Sequence, residues 1–214
     1  MKRAVIVLGG CITDYEYTAN LINTDDFIVC ADGGLKHLEI MDIRPNVWIG
    51  DNDSAYLSPE KISILSENAE VIKLNPIKDA TDGEEACKYV CSKKKFENVL
   101  IIGFFGNRID HLIGNISLLK TFSDAGISAV AINENNAIYF GQKHNTLSAE
   151  GFKYVSLIPL SDTLNNTSTL GLKYKLTAET LYKYSTRGIS NESIEDNFTI
   201  DIESGDALII LSKD

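Results

Sequence analysis

Residues 48–54 read WIGDNDS. A short apolar run climbs to a glycine, and two carboxylates, Asp51 and Asp53, follow one residue apart where the chain must turn. Five more runs before about residue 133 have the same apolar core: AVIVL (4–8), FIVCA (27–31), VIKL (71–74), VLIIGFFG (99–106) and ISAVAIN (127–133). They do not alternate apolar with polar residues, and segments of helical spacing separate them. That pattern indicates strands buried on both faces of a largely parallel sheet, with helices as crossovers. Helices are predicted over residues 13–23, 34–41, 59–68, 82–94 and 110–125. Thr81 is suited to cap the fourth, with Glu84 and Glu85 favouring its positive end.

After residue 133 the texture changes. NAIYF (136–140), KYVSLIPLS (153–161), GLKYKLT (171–177), NFTIDIES (197–204) and ALIILS (207–212) bring alternation, aromatics and β-branched residues between Asn, Gly and Ser clusters. These features describe antiparallel sheet, and only residues 177–184 suggest a short helix or turn. The predicted architecture is therefore a three-layer α/β domain with a parallel sheet over residues 1–133. A C-terminal antiparallel β-sandwich domain follows over residues 134–214.

Composition narrows the partners. The chain has 214 residues and a formal net charge of -10, which opposes nucleic acid or an anionic membrane as the main partner. An anionic substrate remains compatible if metal mediates. MKRAVIVLGG opens with basic residues before an apolar run, but the run is short and enters a Gly-Gly turn, so it reads as a first strand rather than a signal peptide. No stretch approaches the ~18 apolar residues of a membrane span. Cys11, Cys30, Cys87 and Cys91 lack paired CxxC spacing and read as buried reduced thiols of a cytoplasmic protein.

In an open parallel sheet, ligands bind beyond the carboxyl ends of the strands. Four polar clusters fall there: ADGG with Asp32 and Gly33, GDNDS with Asp51 and Asp53, KDATD with Lys78, Asp79 and Asp82, and GNRIDH with Arg108, Asp110 and His111. One crevice is expected to hold them all. Six aspartates converging in a dry pocket would repel one another, and a hard divalent cation removes that difficulty. Mg²⁺ suits the DxD spacing, because the outer carboxylates of an extended DxD share one face. Lys78 and Arg108 are expected in the same crevice, stabilising charge on a moving phosphoryl group. There is no Walker loop, no GxGxxG and no GxSxG elbow, and three scattered histidines do not suggest zinc.

ADGG, GDNDS, KDATD, GNRIDHLIGN and GLKYKLT followed by RGISNE together resemble the ordered motif series of the thiamine pyrophosphokinases, from about Asp32 to the C-terminus. The resemblance implies an N-terminal domain that binds ATP and a C-terminal β-sandwich that completes a thiamine pocket. It further implies a homodimer whose sites draw on both subunits, and transfer of diphosphate from ATP to thiamine with release of AMP. By motif, Asp51, Asp53 and Asp82 are then magnesium ligands, and Lys78 touches the phosphates. Arg108 and Asp110 contact the nucleotide or the transferring group, supported by Asn115. Asp32, Gly33, Asp79 and Thr81 are assigned to nucleotide binding, and Ser190 and Asn191 to thiamine across the dimer interface. Two departures stand out: Asn107 replaces a glycine of the usual GGRxDH, and Asn52 fills a position often aromatic. A magnesium-dependent pyrophosphokinase or nucleotide hydrolase with another acceptor would share the first four motifs without needing the last. A non-catalytic thiamine or nucleotide sensor would be expected to lose essential charges that this chain keeps.

Overall fold

The structure, a computed structural model, describes residues 2–213. These divide between Glu134 and Asn135 into two compact units. In the first unit β1 (Arg3–Val7), α1 (Tyr15–Asn20), β2 (Phe27–Ala31), α2 (Leu35–Ile40), β3 (Val47–Gly50), α3 (Pro59–Ser66), β4 (Glu70–Lys73), α4 (Asp82–Ser92), β5 (Asn98–Ile102), α5 (Ile109–Asp124) and β6 (Ser128–Ile132) alternate along the chain. Every predicted strand and helix of this unit is present; α1 to α4 are one to three residues shorter than predicted at one or both ends, and α5 keeps its predicted length but begins and ends one residue earlier.

The strands pair in parallel in the order β6-β5-β1-β2-β3-β4. In β1, β2, β3 and β5 the side chains alternate between two buried faces, whereas β4 has no fully buried residue and β6 only Ala131, so the expected burial on both faces holds for the four central strands alone. On one face Val5, Val7, Ile28, Cys30, Trp48, Leu100 and Ile102 cluster with Leu35 and Leu38 of α2, while Ile62 and Leu65 of α3 pack against that cluster half-buried. The alternate residues Ala4, Ile6, Val29, Ile49, Val99 and Ile101 are buried as well, and α4 packs on β1, β2 and β3 and against α5. Successive connections run outward from β1 through β2 and β3 to β4, and the chain then crosses back to β5 on the other side of β1. The order reverses between β1 and β5. At such a reversal an open sheet leaves a crevice outside the carboxyl ends of its strands.

The carboxyl ends of β1 and β5 are joined backbone to backbone. Gly10 N–H donates to the Gly103 carbonyl at 2.9 Å, and Cys11 N–H to that of Phe105 at 2.5 Å. A Cβ on Gly10 would sit 2.2 Å from Phe105 O and 2.3 Å from Gly103 O, so only glycine permits the approach.

In the second unit β7 (Asn136–Phe140), β14 (Ala207–Ser212), β9 (Tyr154–Pro159) and β12 (Asn191–Glu192) form one antiparallel set. A four-stranded sheet contains β11 (Glu179–Tyr182), β10 (Thr163–Leu170), β13 (Asn197–Asp201) and β8 (His144–Ser148) in that order. Two expectations are corrected. Residues 179–182 form a strand, not a helix, since their backbone completes the ladder of β10. GLKYKLT is not a strand apart from an isolated bridge from Leu172 to Ser193. Its alternation is satisfied otherwise: the Asn191 side chain accepts from Tyr174 N–H and donates to Tyr174 C=O, both at 2.8 Å, as a neighbouring strand would.

Gly10→Ala should cost about 1–3 kcal/mol or more by overpacking against fixed carbonyls. Gly114→Ala, where an added Cβ meets nothing within 4 Å on an exposed turn of α5, should instead gain about 0.5–1 kcal/mol. Thermal denaturation of both variants checks the pair.

Candidate functional site

WIGDNDS is built around Asp32. That aspartate is 3% exposed, and its carboxylate accepts backbone N–H bonds from Asn52 (3.0 Å), Ser54 (2.9 Å) and Ala55 (3.1 Å). The Trp48 indole N–H donates to the Asp32 carbonyl at 3.2 Å. Gly50 has no Cβ because one would stand 2.6 Å from Asp32 Oδ1. Asn52 has φ 70°, a left-handed conformation that asparagine tolerates, and its side-chain amide closes on both the N–H and the C=O of Leu57. A branched or aromatic residue would lack that clasp, which gives the departure at this position a local reason.

The loop so held brings four carboxylates together. Single oxygens of Asp32, Asp51, Asp53 and Asp82 lie within 4.8 Å of one another. Six were expected, and two fall outside. Asp79 is exposed beyond the group, and Asp110 is drawn to Arg108, whose Nε and second terminal nitrogen donate to its two oxygens at 3.2 and 2.5 Å. Arg108 holds Asp110 down at about 2, well below the usual carboxylate range.

Lys78 reaches the acids rather than the crevice. Its ammonium pairs with Asp51 and stands 3.3 Å from Asp82 Oδ1. The bond from Lys78 lowers Asp51; burial opposes the charge on Lys78, but the two carboxylates together raise it. Asp82 is raised because burial outweighs the attraction of Lys78. Despite the nearby ammonium, Asp82 Oδ1 is buried without a well-directed hydrogen bond.

Beside this group lies a cavity of about 390 Å³. All four predicted clusters contribute to its wall: Asp32 and Gly33, Ser54, Thr81 and Asp82, and Arg108. Thr81 caps α4 as predicted, its hydroxyl accepting from Glu84 N–H at 3.1 Å. Asn115 also lines the cavity and donates its amide to the Phe104 carbonyl at 3.2 Å. Asn107 lines it too, without a positive φ, so the backbone path there does not require the glycine it replaces.

Sequence reasoning missed the contribution of the first strand end. Gly9, Gly10 and Cys11 line the cavity together with Lys36. The same strand-end rule applied to AVIVLGG would have found them. Cys11 is also exposed rather than buried, unlike Cys30 and Cys87, whose thiols burial pushes up. Behind this wall His37 is 2% exposed, bonded through Nδ1 to the Tyr15 hydroxyl and through Nε2 to the Gly10 carbonyl, each at 2.8 Å. Burial lowers the pKa of His37. A neutral ring with its proton on Nε2, accepting from Tyr15, satisfies both bonds.

In the second unit Ser190 has φ 58° and donates its N–H to Ser156 Oγ at 3.1 Å. Asn191 lines a small recess with Arg187, Leu172 and Leu176.

The catalytic domain of thiamin pyrophosphokinase matches residues 18–131, and the vitamin B1 binding domain of thiamin pyrophosphokinase matches residues 143–209. Thiamine pyrophosphokinase of Bacillus subtilis (strain 168) is 31% identical over 217 residues, spanning 100% of both chains. Thiamine pyrophosphokinase 1 of Oryza sativa subsp. japonica is 29% identical across 85% of this chain and 76% of its own. Among solved structures, the Bacillus subtilis thiamine pyrophosphokinase is similar with TM-score 0.88 at 26% identity over the whole of both chains. Thiamin pyrophosphokinase from Geobacillus thermodenitrificans reaches 0.84 at 29% identity over 99% of this chain and 98% of its own. With both domains matched in order and a relative aligned end to end, the chain belongs to the thiamin pyrophosphokinase family.

Proposed function

We propose a division of labour for the activity that membership of this family brings. The chain is an ATP:thiamine diphosphotransferase, moving the diphosphate of ATP to the hydroxyl of thiamine and releasing AMP. One observation carries the assignment of the site. Four carboxylate oxygens crowd within 4.8 Å beside the cavity, and one of them, Asp82 Oδ1, is buried without a well-directed hydrogen bond although the Lys78 ammonium stands 3.3 Å away. That donor set fits a hard dication.

Mg²⁺ would be held by Asp51, Asp53 and Asp82, and when bound it neutralises charge on the phosphates. The protein's own groups do the rest. Asp32 fixes the loop that carries Asp51 and Asp53, and Lys78 relieves repulsion among the acids. Arg108, oriented by Asp110, turns its remaining N–H groups to phosphate oxygens in the cavity. Gly33 and Thr81 line the nucleotide's side of that wall, Asp79 stands outside it, and Asn115 secures the end of β5. Asp110, so acidic beside Arg108, is a poor acceptor for the thiamine hydroxyl proton. In-line attack of that hydroxyl on the β-phosphorus relies on positioning and charge rather than on a strong base.

For thiamine we assign Ser190 and Asn191, reaching from one copy of a homodimer into the site of the other. Exposed Tyr182, Tyr184, Ile189 and Ile194 around that loop support a surface that is covered in the working enzyme. The four free cysteines suit a reducing compartment, the cytoplasm.

Incubation with ATP, Mg²⁺ and thiamine should yield AMP and thiamine diphosphate in equal amounts. Release of ADP, or AMP without thiamine diphosphate, would favour another acceptor. Asp53→Asn, at an exposed position whose loss leaves the fold intact, should cut turnover at least about a hundredfold and raise the Mg²⁺ concentration needed for half-maximal rate. Wild-type rates in this variant and in Asp51→Asn would refute the metal assignment.

A further inference from the structure

Charge at the site does not balance without a further cation. Four carboxylates set against Lys78 and one dication leave one formal negative charge facing a polyanionic nucleotide. Arg108 brings its own counterion, because Asp110 takes it in a two-point pair. The remaining lysine or arginine on the cavity wall is Lys36. Among the described residues it has no carboxylate within ion-pair distance, and its ammonium donates to the Gly9 carbonyl at 3.1 Å.

The local geometry holds that ammonium where a phosphate tail would need it. Lys36 and His37 are successive residues on the first turn of α2, and they take the successive carbonyls of Gly9 and Gly10. Two carbonyl dipoles that would repel an anion are thereby engaged at the end of β1. The lysine stem itself is exposed, so its ammonium can exchange the carbonyl for a phosphate oxygen by rotation about side-chain bonds.

We propose that Lys36 is a phosphate-binding residue of this enzyme, supplying the uncompensated positive charge that the nucleotide's polyphosphate meets in the cavity. The inference rests on the nucleotide reading of the cavity given above. It assigns to Lys36 the place in the crevice that sequence reasoning gave to Lys78, whose charge is already committed to the acids.

Calorimetric titration with a non-hydrolysable ATP analogue in Mg²⁺ buffer tests it, using wild type, Lys36→Met and Lys36→Arg at low and high salt. The methionine variant should bind about tenfold more weakly at low salt, with a flatter salt dependence, as expected for one lost charge-assisted contact. The arginine variant should stay within about threefold of wild type, and thiamine binding should be the same in all three. Equal analogue affinity in wild type and Lys36→Met would overturn the proposal while leaving the nucleotide site intact. A wild type that binds no analogue would bring down the nucleotide reading and this inference with it. Equal weakening in the methionine and arginine variants would show a packing role and refute the charge role.

Discussion

A buried carboxylate accepting three backbone N–H bonds is the joint on which the site turns. Asp32 closes the end of β2, and the loop after β3 folds onto it through Asn52, Ser54 and Ala55. Bonds from N–H groups to an ionised acceptor are among the stronger kind, and burial makes an unpaired charge at this position costly. The loop therefore has little freedom. Asp51 and Asp53 are carried into proximity with Asp82 because that loop is pinned, although their mutual repulsion would otherwise spread them apart.

Electrostatics then explains which cations go where. An acidic chain that gathers four carboxylates must also gather positive charge, and Lys78 is the nearest supply, arriving from the loop before α4 to pair with Asp51 and approach Asp82. Arg108 and Asp110, two residues apart at the start of α5, satisfy each other first. Local pairs form at small entropic cost, so a motif such as RID spends part of its charge internally before any substrate arrives.

Much of this was legible in sequence. Buried parallel strands announced themselves as unalternating Val and Ile runs, and the polar clusters after them marked the ligand-binding ends. The Thr81 cap and the start of α4 followed from side-chain chemistry confined to one turn. In the second unit the reading was weaker. β10 carries Leu164, Thr167 and Thr169 inward on a segment written TLNNTSTL, and a bulge near Asn166 breaks its period, so its alternation does not show. GLKYKLT alternates cleanly and yet is held by the Asn191 side chain in place of a neighbouring strand.

Local sequence determined the strands, the helices and the family of motifs, because backbone propensity, caps and apolar period act over a few residues. The reversal of strand order between β1 and β5, and with it the position of the cavity, came from how six strands pack into one sheet. The same packing decided that four aspartates meet and two do not, that Lys78 joins the acids, and that Lys36 and the Gly9–Gly10 turn face the crevice. Those outcomes depend on contacts between residues tens of positions apart, and side-chain charge chooses its partners only after the backbone has brought candidates within reach.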